Sequence, residues 1–166
     1  MKPTGIAIAF VAISSSTCAA AQTPRLLGTY DEWSAWSVKE NKSNICYIHA
    51  DALTKTPVEL DHGRVSFSVR RLKRGKVRTE ASMQAGYEFS PNAIRVSVDG
   101  KRFTMIPYGH NAWLQGTARE AEFARVLSKG RTMTVEAVSR RGNKTHYRFS
   151  LKGFTAALRK ARRTCP

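Results

Sequence analysis

Ile94-Arg95-Val96-Ser97-Val98-Asp99-Gly100-Lys101-Arg102-Phe103-Thr104-Met105-Ile106 decides the fold. Ile94, Val96 and Val98 alternate with polar residues, which is the period of a half-buried strand. The apolar pattern resumes in the run from Arg102 to Ile106. Between the two runs stands Asp99-Gly100. A type I′ turn needs positive φ at both central residues, and Asp-Gly supplies it at little steric cost. The stretch is therefore predicted to be an antiparallel hairpin.

The same signals recur outward from it. Val65, Phe67 and Val69 alternate with Arg64, Ser66, Ser68 and Arg70. Met133, Val135 and Ala137 face Tyr147, Phe149 and Leu151 across the turn residues Arg140-Arg141-Gly142-Asn143-Lys144, a second hairpin. Ile45 to Ile48 forms a further strand, and Tyr30, Trp33, Trp36 and Val38 open the fold. Two segments have helical spacing instead. Thr117-Ala118-Arg119-Glu120 has the spacing of a capping box, ahead of Phe123, Val126 and Leu127 and a stop at Gly130. Phe154, Ala157, Leu158 and Ala161 fall at i, i+3, i+4 and i+7, one stripe of a C-terminal helix. Hairpins without βαβ alternation imply a mainly β chain. The expected fold is an antiparallel β-sandwich or barrel-like domain with one inserted helix and one C-terminal helix.

The N-terminus reads as an export signal. Lys2 supplies the positive end, Gly5 to Ile13 the short apolar run, and Ala19 and Ala21 the small residues of a cleavage site. The apolar run is far shorter than the roughly 20 residues that span a bilayer. Residues 1–21 are thus expected as a signal peptide and 22–166 as one β-rich domain, with 22–29 a flexible N-terminus. A rival reading, a lipid anchor on Cys18, lacks the usual apolar residue three positions upstream. Cleavage after Ala21 leaves 145 residues and two of the three cysteines, Cys46 and Cys165. An even pair in an oxidising compartment reads as a disulfide. So long a loop contributes on the order of 4–5 kcal/mol in the chain-entropy model.

Charge is lopsided. Without Lys2 the chain carries 27 cations against 12 acids, a net +15. Such a field attracts anionic lipid, lipopolysaccharide or other polyanions; export separates the protein from cytosolic nucleic acid. Two runs are the candidate anion contacts: Arg70, Arg71, Lys73, Arg74, Lys76 and Arg78, and Arg159, Lys160, Arg162 and Arg163. Arg140, Arg141, Lys144 and Arg148 form a third cluster around the last hairpin. The first run flanks or follows the Val65–Val69 strand, so replacing Arg70, Arg71, Lys73 and Arg74 is expected to leave the fold intact. The competing reading of all three runs is a solvated, solubilising face.

Catalytic signals are sparse. His49 and Asp51, two apart, share one strand face and could bind a metal or act as base and orienter. No third ligand stands at a diagnostic spacing, and no H-E-x-x-H, C-x-x-C, G-x-S-x-G or P-loop occurs. Nothing in the residues calls for a cofactor. An envelope-polymer hydrolase or metal-dependent enzyme working through His49, Asp51 or a scattered acid is the alternative to a binding protein. Trp33, Trp36 and Trp113 are core anchors or stacking platforms.

Several segments taken in order resemble the invasion-associated locus B family. They are Trp36-Ser37-Val38, Ile45-Cys46-Tyr47, Gly86-Tyr87-Glu88-Phe89, Val98-Asp99-Gly100-Lys101 with Phe103, and Ala112-Trp113. Gly130 to Val135, Ser139-Arg140-Arg141-Gly142, Ser150 to Ala157 and the final Cys165 complete the resemblance, which covers about residues 33 to 165. It implies a periplasmic or envelope protein of a Gram-negative bacterium, associated in name with host-cell invasion. It implies no enzymatic activity and supplies no catalytic residues.

Overall fold

The computed structural model describes residues 23–40, 43–72 and 79–166. Residues 1–21, and the candidate cations Lys73, Arg74, Lys76 and Arg78, lie outside the described residues. The chain forms β1 (Arg25–Tyr30), β2 (Trp33–Glu40), β3 (Ser43–Asp51), β4 (Thr54–Thr56), β5 (Ser66–Arg71) and β6 (Thr79–Gln84). β7 (Ile94–Val98), β8 (Lys101–Tyr108) and β9 (Asn111–Leu114) follow, then α1 (Glu120–Lys129), β10 (Thr132–Val138), β11 (Lys144–Ser150) and α2 (Phe154–Thr164).

All strands belong to one antiparallel sheet, in the order β1-β2-β3-β5-β6-β9-β8-β7-β10-β11-β4. β4 follows β3 by two residues yet lies at the opposite end of that order. Ala52 N–H donates to Val65 C=O and Leu53 N–H to Arg148 C=O. The β3–β4 segment thus passes from one arm of the sheet to the other and curls the sheet over its core. The end strands β1 and β4 are not paired with each other, so the sheet is sandwich-like and not a closed barrel.

The alternating apolar residues meet between the arms. Phe67 on β5 faces Phe149 on β11 with ring centroids 6.0 Å apart. α1 inserts Phe123 between Phe67 and Phe103, at 6.1 and 4.6 Å. α2 buries Phe154, Ala157, Leu158 and Ala161, the stripe expected from sequence. The Phe154 ring stands edge-on to Trp33 at 4.8 Å. Gly153 starts this helix at φ 90°, and a Cβ there would lie 1.7 Å from Tyr30 O, so no side chain fits.

The hairpin that decided the fold is present. Val98 pairs with Lys101, and Asp99 and Gly100 have φ of 45° and 91°. Asp99 also accepts from Arg131 N–H at 2.8 Å and Thr132 N–H at 3.1 Å, tying this turn to β10.

Two expectations need correction. Residues 25–29 are not a flexible tail: they belong to β1, which pairs with β2 through a shift in register between Leu26 and Gly28. Thr117 to Glu120 is not a capping box either. Thr117–Arg119 is a 3₁₀ turn with no side-chain cap. The Glu120 carboxylate turns inward, accepting from Ala81 N–H at 3.0 Å and Thr79 Oγ1 at 3.4 Å, and so fastens α1 to β6.

Candidate functional site

The sheet register and the disulfide set the described members of the two candidate cation runs, Arg70 and Arg71 on β5 and Arg162 and Arg163 on α2, at one end of the sheet. Cys46 is bonded to Cys165, with Cα atoms 5.8 Å apart. Cys46 pairs with Ser37, and Ser37 with Arg25. On the other side of β3, Tyr47 pairs with Arg70, and Arg71 pairs in turn with Thr79. Arg162 and Arg163, both exposed, close α2 just before Cys165. Alternation along β5 puts Arg71 on the face of the sheet that carries Cys46 and α2, and Arg70, with its partner Glu40, on the opposite face. Arg159 and Lys160 lie about one turn back along α2.

These cations are not equivalent. Arg70 is half-buried and donates to Glu40 Oε2 at 3.2 Å. Arg71 is also half-buried. Both are strand residues of β5 outside the buried set of Val65, Phe67 and Val69, and replacing Arg70 also removes its bond to Glu40. Arg162 and Arg163 are the freer pair, and as last-turn cations they complement the helix dipole.

His49 and Asp51 do share a face, on β3. His49 Nε2 is 3.4 Å from Asp51 Oδ1, and Arg64 donates to Asp51 Oδ1 at 3.0 Å. Arg64 Nη2 also lies 3.0 Å from His49 Nε2. A guanidinium only donates, so Nε2 is the acceptor and Nδ1 carries the proton, which it gives to Ser68 Oγ at 3.1 Å. Burial pushes the His49 pKa down, with Arg64 adding to it and Asp51 opposing. Burial pushes Asp51 up, but hydrogen bonding to and the charge of Arg64, together with His49, hold its carboxyl below the usual range.

Ser68, His49 and Asp51 thus touch, but the imidazole is set to donate to Ser68 and not to take its proton. Ser68 also lies mid-strand between β3 and β6, where the ladder occupies the backbone amides that an oxyanion site would need. Among the described residues, no three His, Cys, Asp or Glu side chains cluster closely enough to hold a metal ion. Of the tryptophans, Trp33 is a core anchor at 0% exposure, Trp36 is half-buried, and Trp113 is 38% exposed.

A cleft of about 660 Å³, invisible in the sequence, opens between the His62 loop and the β10–β11 turn. Its floor is a hydrogen-bonded chain. His62 Nε2 faces Pro57 C=O at 2.7 Å, which fixes a proton on Nε2. His62 Nδ1 meets Tyr147 OH at 2.9 Å, Tyr147 OH meets Tyr87 OH at 2.7 Å, and Tyr87 OH meets Thr145 Oγ1 at 2.7 Å. Burial raises both phenols above their ordinary pKa, so they stay neutral. At the rim Arg140 is bound to Glu88, which leaves Arg141 as the cation there without a side-chain partner among the described residues. The chain's groups satisfy one another, so this cleft reads first as a brace between loop and sheet.

Comparison with known proteins agrees with this architecture. The chain is similar in structure to invasion associated protein B from Bartonella henselae, at a TM-score of 0.59 and 14% identity, over 82% of this chain and 96% of that one. That likeness speaks for the fold. No curated protein matches the chain. Residues 33–162 match the family described as Invasion associated locus B (IalB) protein. With that match spanning most of its length, the chain belongs to the invasion associated locus B family.

Proposed function

We propose that the protein is exported to the periplasm or cell envelope, loses residues 1–21, and serves there as a binding or accessory protein. Its basic end contacts anionic lipid or lipopolysaccharide. The observation that carries this reading is the Cys46–Cys165 bridge, which sets the exposed Arg162 and Arg163 at the same end of the sheet as Arg70 and Arg71. Described cations from two runs far apart in sequence thus stand at one end of the sheet, with Glu40 paired to Arg70. No helix among the described residues is long and apolar enough to cross a membrane, which suits contact by adsorption. The family's name and the signal-like N-terminus support an envelope setting.

The mechanism is delocalised attraction, with each exposed arginine worth about 1 kcal/mol near an anionic surface. The test is co-sedimentation of the mature protein with vesicles, with and without anionic lipid, across a salt series. Binding should require anionic lipid. It should fade as salt shortens the Debye length from about 10 Å at 0.1 M to about 3 Å at 1 M. The double variant Arg162→Ser, Arg163→Ser should bind roughly ten- to thirty-fold more weakly. Equal binding to neutral vesicles, or indifference to salt, refutes the reading. Intact mass of the exported protein should show loss of the first 21 residues; a retained N-terminus or a lipid on Cys18 contradicts the export step as drawn.

A further inference from the structure

The outer face of the other sheet arm carries a second basic feature, and it shares no residue with the basic end. Strand register places Arg102 on β8, Ser97 on β7, Thr134 on β10, Arg148 on β11 and Thr54 on β4 in one continuous row. The adjacent row reads Thr104, Arg95, Glu136, His146 and Thr56. Three recesses of about 360, 620 and 240 Å³ run along this face and share Glu136, so they form one groove.

Its charge is one-sided. Arg95 is committed to Glu136 at 2.7 Å. Arg102, Arg148 and Lys144 make no side-chain hydrogen bond or ion pair among the described residues. Arg102 and His146 are both near enough to help Arg95 hold the Glu136 carboxyl below its usual range. The hydroxyls of Ser97, Thr104, Thr134 and Thr54 likewise have no partner among the described residues. The groove therefore offers uncommitted cations at both sides of a floor of unpaired hydroxyls.

We propose that this groove binds a linear acidic polysaccharide, with Arg102 and Arg148 holding its anionic groups and the Ser97, Thr134 and Thr54 row meeting its sugar hydroxyls. Arg102 and Arg148 stand three strand spacings apart, about 14 Å. That separation suits successive anionic groups on one extended chain and not a single small anion. The unpaired hydroxyls distinguish a sugar polymer from a bare lipid surface, because they can exchange hydrogen bonds with its hydroxyls. The rings of Phe103 and Tyr147 beneath the groove are buried, so it has no exposed aromatic platform on which nucleic-acid bases could stack.

The test measures affinity of the mature protein for fluorescently labelled heparin oligosaccharide, a sulfated chain, and oligogalacturonate, a carboxylated one, with dextran as the neutral control. The parent should bind one or both acidic chains and not dextran; which one binds identifies the anionic group. Arg102→Ser with Arg148→Ser should weaken binding at least tenfold. Arg162→Ser with Arg163→Ser should leave it within about twofold, and so should Arg125→Ser with Lys129→Ser on α1. Arg102 and Arg148 are exposed and without an ion pair among the described residues, so circular dichroism and thermal midpoint should be unchanged. Three outcomes overturn the proposal: no binding of either acidic chain, equal losses in all three double variants, or duplex DNA binding as tightly as the acidic sugars through the same residues. Failure here leaves the vesicle result standing, and failure of vesicle binding leaves this groove standing.

Discussion

Replacing both Cys46 and Cys165 by alanine removes the bridge that closes almost the whole domain. The two cysteines are 119 residues apart. A loop of that length costs the unfolded chain roughly 5 kcal/mol of conformational freedom in the chain-entropy model. Domains of this size are stable by only about 5–15 kcal/mol, so the variant should lose a large share of its stability. It should still fold, because α2 keeps Phe154, Ala157, Leu158 and Ala161 in the core. Full burial of a side chain as large as phenylalanine contributes about 1.5–3 kcal/mol. Urea unfolding followed by tryptophan fluorescence suits the question, since the Trp33 ring stands against Phe154 and reports on helix docking. The midpoint should fall and the slope should steepen, because the unfolded chain without the cross-link exposes more surface. Hydrogen exchange should show α2 and β1 losing protection before the β7–β8 hairpin. The same variant should hold anionic vesicles less tightly, because Arg162 and Arg163 are no longer fixed at the Cys46 end of the sheet. A loss below about 1 kcal/mol with α2 protection intact would refute the reasoning, for the bridge would then not be the clamp on this helix.

Gly153→Ala should cost at least about 3 kcal/mol in a urea titration, because its Cβ would lie 1.7 Å from the Tyr30 carbonyl oxygen at a positive φ; a cost under 1 kcal/mol would mean the Tyr30–Gly153 approach is loose. Glu120→Gln tests the buried carboxyl, which burial raises above the ordinary range against the pull of Ala81 N–H and Thr79. The native state holds that proton more tightly than the unfolded chain, so this contribution is full below about pH 4 and is lost as pH rises through the native value. The glutamine variant should therefore gain on the parent as pH rises above about 4, and a difference that stays flat with pH counts against an ionising Glu120. Phe123→Ala should cost about 3–5 kcal/mol, since its buried ring fills the space between Phe67 and Phe103; thermal melting under matched buffer checks it.

What the sequence disclosed follows from how local each signal is. The Asp99–Gly100 hairpin was legible because turn chemistry and both alternating runs lie within a dozen residues. The α2 stripe was legible for the same reason. Glu120 was misread because a capping box and a tertiary contact share one spacing: the amide it satisfies belongs to Ala81, on a strand that nothing local points to. β1 went unread because the register shift at Leu26 and Gly28 breaks the alternation a strand should show. The disulfide followed from counting cysteines and from compartment, but its consequence did not. That Arg162 comes to the same end of the sheet as Arg70 needs the Tyr47–Arg70 register as well as the bridge. The Arg102–Arg148 groove was least visible, because its row draws on five strands and on the polar half of the alternation, which a search for the core passes over.

The acids explain why so basic a chain keeps its surplus charge on the surface. Of the 12 acids, only Glu32, Glu59 and Glu80 have no hydrogen bond or ion pair among the described residues. Asp31, Glu40, Asp51, Glu88, Glu122 and Glu136 each hold a lysine or arginine. Asp61, Asp99 and Glu120 accept from backbone amides. The acids are thus engaged in fastening loops, turns and helix to the sheet. They are too few to neutralise Arg102, Arg148, Arg159, Arg162 and Arg163, none of which has an ion-pair partner among the described residues. Exposed pairs of this kind add only about 0–1 kcal/mol each, so the remaining cations gain little by finding internal partners. Their mutual repulsion is a standing cost to the compact state, which an external polyanion would relieve. Binding of such a partner should therefore raise the melting temperature most at low salt, where that repulsion is least screened. A shift that is the same at high salt would mean that charge relief is not what drives the association.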